Sequence, residues 1–171
     1  MVILIGGASH TGKTLLAQKL LEQYHFPCLS IDHLKMGLIR SGQTDLTPMD
    51  DDALTEYLWP ILREMVKTVI ENRQNLVVEG CYIPHDWYRD FGPDYLENIR
   101  CRFLVMTEYY IRNHFADIRA FACAIEQRLE DSDLNMEDLI RDNARIRESC
   151  RIEDCLLIDE TYSVDPEAIL E

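Results

Sequence analysis

The chain has 171 residues, a length typical of one domain that buries roughly 70% of the surface its unfolded chain exposes. Its composition, 47% apolar and 28% charged, is that of a globular protein. With 17 basic and 31 acidic residues the formal charge is −14, which argues against nucleic acid or an anionic membrane as a partner, because both need clustered positive charge. A small anionic ligand stays compatible, since a few arginines in one cleft can outweigh the mean field.

Short apolar segments alternate with longer helical patterns along the chain. The predicted strands are Met1–Ile5, Phe26–Ile31, Leu76–Glu79, Arg102–Met106 and Cys155–Ile158. The predicted helices are Lys13–Tyr24, His33–Arg40, Pro48–Asn72, Glu108–Glu130 and Met136–Cys150. Nearly continuous apolar strands suit a parallel sheet that is covered on both faces. Helical crossovers between them predict a doubly wound α/β fold in a single domain, residues 1–171.

The positions of two prolines predict where the third helix begins and whether it is continuous. Thr47 precedes Pro48, so Thr47 is expected to cap a helix that has Pro48 at its first position. The acidic residues 50–52 then lie at the positive end of the helix dipole, an ordinary solvated helix start. Pro60 is expected to kink or divide this helix, because it removes a backbone donor from the helix interior.

A phosphate-binding motif follows the first predicted strand. The segment 7–14 reads G-x-x-x-x-G-K-T, in which glycines let the backbone approach phosphates and successive N–H groups face the anion. Lys13 is expected to reach the outer phosphates, and Thr14 to ligate Mg²⁺. The predicted nucleotide-binding residues are Gly7, Ala8, Ser9, His10, Thr11, Gly12, Lys13, Thr14 and Leu15. ATP and Mg²⁺ are therefore the predicted ligands.

Acidic residues end the second and third strands. Asp32 is predicted to orient, or take a proton from, the hydroxyl group of an acceptor; alternatively it only caps the helix near His33. Glu79 is predicted to hold a water molecule of Mg²⁺ or to contact the substrate, and Gly80 permits close approach of the backbone; alternatively the two residues form an ordinary turn at the end of the strand. Arg40 either neutralises an anionic acceptor or complements the end of its own helix.

The segment 107–147 is predicted to be a helical lid over the ligand. It is long for a crossover and concentrates arginines in an acidic protein, namely Arg112, Arg119, Arg128, Arg141, Arg145 and Arg147. Each of these arginines could equally form an ordinary surface ion pair.

Several kinds of site and location are disfavoured by the sequence. The six cysteines form no C-x-x-C pair, which argues against zinc and favours reduced thiols. The apolar start MVILI is too short for a signal peptide, so a cytoplasmic location is expected, as a monomer or homodimer. An Asn-Lys-x-Asp guanine-recognition motif does not occur in the sequence, which makes GTP a less suitable donor.

Together, the loop at Gly7–Thr14, Asp32, the pair Glu79-Gly80 and the arginine-rich segment resemble the small P-loop kinases. That group includes nucleoside monophosphate kinases, shikimate and gluconate kinases, chloramphenicol phosphotransferase and zeta-toxin-like proteins. The resemblance implies a three-layer P-loop NTPase fold with a five-stranded sheet in the order 2-3-1-4-5 and a helical lid insertion. It also implies that Asp32 engages the acceptor hydroxyl and that Arg112 and Arg119 supply a catalytic lid arginine.

The leading hypothesis is an ATP- and Mg²⁺-dependent phosphotransferase that acts on a hydroxyl group of a small molecule. In it, Lys13, Asp32, Arg112 and Arg119 are the catalytic residues. One alternative is a nucleotide kinase, whose acceptor is a phosphate and needs no general base. A second is a non-catalytic, nucleotide-dependent switch.

Overall fold

A five-stranded parallel sheet in the order β2-β3-β1-β4-β5 forms the centre of the protein. The structure, a computed structural model, describes residues 1–121 and 134–170. The strands are β1 (Val2–Gly7), β2 (Cys28–Ser30), β3 (Leu76–Glu79), β4 (Ile99–Met106) and β5 (Cys155–Ile158). Every neighbouring pair is parallel. The predicted α/β fold class and strand order are therefore confirmed.

Strand β1 lies in the middle of the sheet and is buried along its whole length. Val2–Ile5 pairs with Leu76–Glu79 on one side, and Val2–Gly7 pairs with Ile99–Leu104 on the other. The strand continues two residues beyond the predicted end at Ile5, because the glycines at positions 6 and 7 still pair with β4. Both faces of such a central strand are covered, which accounts for its unbroken apolar sequence.

Helices pack on both faces of the sheet. They are α1 (Lys13–Tyr24), α2 (Ile31–Arg40), α3 (Asp51–Glu71), α4 (Pro93–Leu96), α5 (Glu108–Phe121), α6 (Met136–Ser149) and α7 (Glu167–Leu170). One core joins Leu58 and Leu62 of α3 to Leu4 on one face of the sheet. A second core joins Leu16 of α1 and Ile111 of α5 to the opposite face. The three-layer arrangement is thus confirmed.

The start of α3 corrects the prediction made for Thr47 and Pro48. The helix begins at Asp51, and Asp50 is its capping position. Thr47 donates from both its backbone N–H and its hydroxyl to Asp50 Oδ2, each at 2.7 Å. Asp50 rather than Thr47 is therefore the capping position, and its carboxylate accepts the two hydrogen bonds that Thr47 donates.

Pro60 does not divide α3, contrary to one form of the prediction. The helix runs unbroken from Asp51 to Glu71, with Pro60 exposed on its surface. Leu58 and Leu62, on either side of Pro60, are fully buried. This packing holds the helix together although Pro60 removes one backbone donor.

The start of α2 also differs from the prediction. Helix α2 begins at Ile31, so Asp32 lies in its first turn, and the alternative that Asp32 caps a helix starting at His33 is wrong. Helix α5 begins at Glu108 as predicted and is described as far as Phe121. The remainder of the predicted helix, and residues 122–133 of the predicted lid, lie outside the described residues.

A substitution at Gly37 tests how α2 contributes to the free energy of unfolding. A Cβ atom at Gly37 would have no heavy atom within 4 Å. Gly37→Ala should therefore raise the free energy of unfolding by about 1 kcal/mol, because alanine loses less backbone entropy in a helix. Urea denaturation at an unchanged m-value measures this. Gly42→Ala is the matched control: its surroundings are equally open, but its φ of +71° should make the substitution destabilising.

Candidate active site

A cavity of about 470 Å³ lies where the carboxyl ends of the strands meet. Segments that follow each strand line it, including the loop after β1, Asp32 after β2, Glu79 at the end of β3, Met106 at the end of β4, and Thr161 after β5. Ligands of open α/β sheets bind at this edge. Lys13 and Thr14 of the loop motif therefore share one cavity with Asp32 and Glu79, which were predicted from the ends of other strands.

Backbone geometry in the loop after β1 requires glycine at two positions. Gly7 and Gly12 have φ values of +134° and +85°. A Cβ atom at Gly7 would lie 2.5 Å from the carbonyl oxygen of Leu104, and one at Gly12 would lie 1.9 Å from the Tyr162 hydroxyl. The two glycines thus permit both the turn and the close packing of the loop against its neighbours.

Lys13 folds back over this loop. Its ammonium group donates a 2.7 Å hydrogen bond to the carbonyl of Ala8, and the residue is only 7% exposed. The Thr11 hydroxyl donates to the same carbonyl at 2.9 Å. Helix α1 starts here with Gly12 as its cap, a residue without a side chain. A buried cation beside the first N–H groups of a helix fits a phosphate chain.

Thr14 and Glu79 form the part of the cavity that suits a magnesium ion. The Thr14 hydroxyl donates to Glu79 Oε2 at 3.3 Å, and Glu79 is 3% exposed. The neighbouring Ser30 hydroxyl is buried without a hydrogen-bond partner among the described residues. Residues 1–121 and 134–170 contain no group of three or more His, Cys, Asp or Glu side chains that could hold a metal. Mg²⁺ is usually held by one or two protein ligands together with several waters and the substrate phosphates, and Thr14 and Glu79 offer a hydroxyl and a carboxylate for this.

Asp32 borders the cavity and is held by Lys35, a residue that the sequence analysis did not single out. Asp32 Oδ1 accepts a short hydrogen bond from the ammonium group of Lys35, which also donates to the Tyr82 hydroxyl at 3.0 Å. Burial alone would lower the pKa of Lys35, but these two hydrogen bonds outweigh burial and raise that pKa above its ordinary value. The i, i+3 spacing of Asp32 and Lys35 was the available sequence signal.

Aromatic and apolar side chains also line the cavity. Tyr110, His114, Ile118 and Phe121 come from α5. The Tyr110 and His114 rings stack with centroids 4.5 Å apart. Tyr162 donates from its hydroxyl to the backbone carbonyl of Thr11 at 3.2 Å, and burial raises the pKa of Tyr162 to about 12. These aromatic residues were not predicted from the sequence, since the prediction for α5 concerned its arginines.

The predicted arginines are not among the described residues that line the cavity. Arg112 forms ion pairs with Glu108 on its own helix, at 2.8 Å, and with Glu137 of α6, at 2.9 Å. Arg119 and Arg40 are both exposed, on α5 and in the last turn of α2. The geometry therefore gives Arg112 a structural contact between two helices.

Gly80, a predicted substrate contact, is also absent from the described cavity lining. A Cβ atom at Gly80 would lie 2.8 Å from Ile31 Cβ at the start of α2. The glycine thus lets the chain after β3 pass close to α2, which carries Asp32.

Comparison with known proteins gives similarity at the level of structure. No protein-family model and no curated protein matches the sequence. A provisionally assigned kinase from Chloroflexus aurantiacus J-10-fl superposes with a TM-score of 0.59 and 19% identity, over 99% of this chain and 94% of that one. The chain has the fold of the small P-loop kinases.

Two further P-loop kinase structures agree. A sugar kinase from Janibacter sp. HTCC2649 gives a TM-score of 0.56 at 13% identity, over 99% of this chain and 89% of the other. Shikimate kinase from Aquifex aeolicus VF5 gives 0.52 at 13% identity, over 99% and 91%. Such identities establish the fold alone.

None of the helices in residues 1–121 and 134–170 combines the length and the apolar character needed to cross a membrane.

Gly12→Ala tests whether the loop is the nucleotide site. The added methyl group would collide with the Tyr162 hydroxyl and would require a strained φ, so we expect the affinity for ATP to fall by about tenfold or more. Isothermal titration with a non-hydrolysable ATP analogue measures this affinity. Gly92→Ala, where a Cβ atom would meet nothing within 4 Å, is the control. Equal affinities in both variants would place the nucleotide elsewhere.

Proposed function

We propose that the protein is an ATP-dependent kinase that transfers the γ-phosphate to a hydroxyl group of a small molecule. The observation that carries this proposal is the position of Asp32 in the same cavity as Lys13 and the Thr14–Glu79 pair. A carboxylate beside a phosphate-binding loop is suited to hold an attacking hydroxyl. The sugar kinase and shikimate kinase among the structural neighbours support the same reaction class by their names.

Each residue has a defined part in this reaction. ATP supplies the phosphoryl group and leaves as ADP, while Mg²⁺ neutralises charge on the phosphates. Lys13 and the backbone N–H groups of the loop would hold the phosphates, and Thr14 with Glu79 would hold the hydrated cation. Asp32 accepts a hydrogen bond from the acceptor hydroxyl and takes its proton as the new O–P bond forms.

Two substitutions separate donor binding from transfer. Lys13→Ala should weaken ATP binding or turnover, since it removes the buried ammonium group of the loop. Asp32→Asn should bind ATP as the wild type does but transfer phosphate about 10²-fold to 10⁴-fold more slowly, because the amide cannot accept the proton. Titration calorimetry measures binding, and acceptor-dependent ADP release measures transfer.

Asp138→Asn is the matched control for Asp32→Asn. Asp138 also lies in the first turn of a helix and pairs with a basic residue three positions later, Arg141, at 2.6 Å. It lies outside the described lining of the cavity, so its substitution should leave transfer unchanged. Full transfer activity in Asp32→Asn with the true acceptor would remove the role assigned to Asp32.

A panel of acceptors distinguishes this proposal from its alternatives. Nucleosides, sugars, hydroxy acids and aminoglycosides test hydroxyl transfer, and nucleoside monophosphates test transfer to a phosphate. Faster ADP release with a monophosphate, unaffected by Asp32→Asn, would indicate a nucleotide kinase. Absence of acceleration by every acceptor, together with nucleotide-dependent binding of a partner protein, would indicate a switch.

A further inference from the structure

Four side chains form one hydrogen-bonded chain beside the cavity, here called the acceptor network: Asp32, Lys35, Tyr82 and Asp51. Lys35 donates to both Asp32 Oδ1 and the Tyr82 hydroxyl. Tyr82 in turn donates to Asp51 Oδ1 at 2.9 Å. The network thus joins two residues of α2 to the segment after β3 and to the first residue of α3.

The direction of the hydrogen bonds in this network is fixed. The Tyr82 hydroxyl has one proton, which it donates to Asp51, so its lone pair faces the ammonium group of Lys35. Burial raises the pKa of Tyr82 to about 12, so the hydroxyl keeps this proton at neutral pH. Lys35, which can only donate, therefore has defined partners on both sides.

The two oxygens of Asp32 are used differently. The Lys35 side chain is only 12% exposed, whereas that of Asp32 is 41% exposed and borders the cavity. Lys35 occupies Oδ1, and none of the described residues donates a hydrogen bond to Oδ2. An ammonium group fixed on one oxygen restricts rotation of the carboxylate and leaves the other oxygen available to a ligand.

We propose that Lys35 is a positioning residue that fixes the Asp32 carboxylate so that Oδ2 receives the hydroxyl of the acceptor. This inference rests on the proposed kinase function and names the kind of group recognised. Because Lys35 balances the charge of Asp32, the reacting group is held by a hydrogen bond rather than by charge. The acceptor therefore presents a neutral hydroxyl at this point, as a polyol, sugar or nucleoside does, and not an amine.

Lys35→Met tests the inference by removing the charge while retaining most of the side-chain length. With the best hydroxyl acceptor, kcat should fall by about tenfold to a hundredfold, because the carboxylate loses its fixed orientation. The dissociation constant of ATP should stay within about twofold of the wild-type value, since Lys35 is not part of the phosphate loop. Tyr82→Phe should change kcat in the same direction by a smaller factor.

Lys67→Met is the matched control. Lys67 pairs with Glu64 three residues before it, at 3.0 Å, and lies over the ring of Tyr95, but on α3 and outside the described cavity lining. Its side chain is 24% exposed. The substitution should leave kcat unchanged. Circular dichroism and urea midpoints establish that each variant is folded.

A double substitution distinguishes positioning from a general structural role. If Lys35 acts through Asp32, then adding Lys35→Met to Asp32→Asn should cause no further loss of kcat. Two independent losses that multiply in the double variant would overturn the inference, and so would a wild-type kcat in Lys35→Met.

Nuclear magnetic resonance of ¹⁵N-labelled lysine tests the network without any acceptor. The pKa of Lys35 should fall in Asp32→Asn, because burial then opposes the charge without the carboxylate to offset it. An unchanged pKa would overturn the inference while the kinase proposal stands. A fall in this pKa, together with no acceptor-dependent ADP release, would instead overturn the kinase proposal and the inference that rests on it.

Discussion

The hydrogen-bonded ladder between β1 and β4 is the constraint on which the site depends. It continues through Gly7, whose neighbour across the ladder is Leu104. The approach is so close that a side chain at Gly7 would strike the carbonyl oxygen of Leu104. Only glycine therefore fits at position 7, where the chain leaves the sheet. This fixes the place at which the following loop begins. Because all five strands are parallel, the ends of the other four lie at the same edge.

This arrangement explains how a protein of charge −14 can accommodate a polyanion. The positive potential in the loop comes from backbone N–H groups, from the start of α1 and from the single buried ammonium group of Lys13. None of these sources depends on the net charge of the protein. Of the two nearby carboxylates, Asp32 forms an ion pair with Lys35, and Glu79 accepts a hydrogen bond from Thr14. Local geometry thus outweighs the mean field.

Features that depend on neighbouring residues in the chain were predictable from the sequence. The loop of residues 7–14 and the carboxylates of Asp32 and Glu79 near the sheet edge required only short patterns and the rule that parallel strands share an edge. The importance of Lys35 could not be predicted from such short patterns. Its spacing from Asp32 was visible, but the burial and the contact with Tyr82 that give it significance come from packing of α2 against the segment after β3.

Long-range partners account for what the sequence did not predict. Arg112 was expected at a phosphate, but its guanidinium group forms an ion pair with Glu137, 25 residues further along the sequence. Tyr162, 151 residues from its partner Thr11, reaches the loop only because β5 lies beside β4. Such pairings are set by topology, which a local pattern does not contain.

The polarity of the cavity has a consequence for how a nucleotide would lie in it. Its lining combines the polar side chains of Lys13, Thr14, Asp32 and Glu79 with aromatic rings from α5, and Tyr162 lies beside the loop itself. A nucleoside triphosphate likewise combines charged phosphates with a flat, largely apolar base. If the loop held the phosphates, these rings would offer flat surfaces to the base. An acceptor hydroxyl at Asp32 would then share one cavity with the phosphates, because Asp32 and Lys13 both line it.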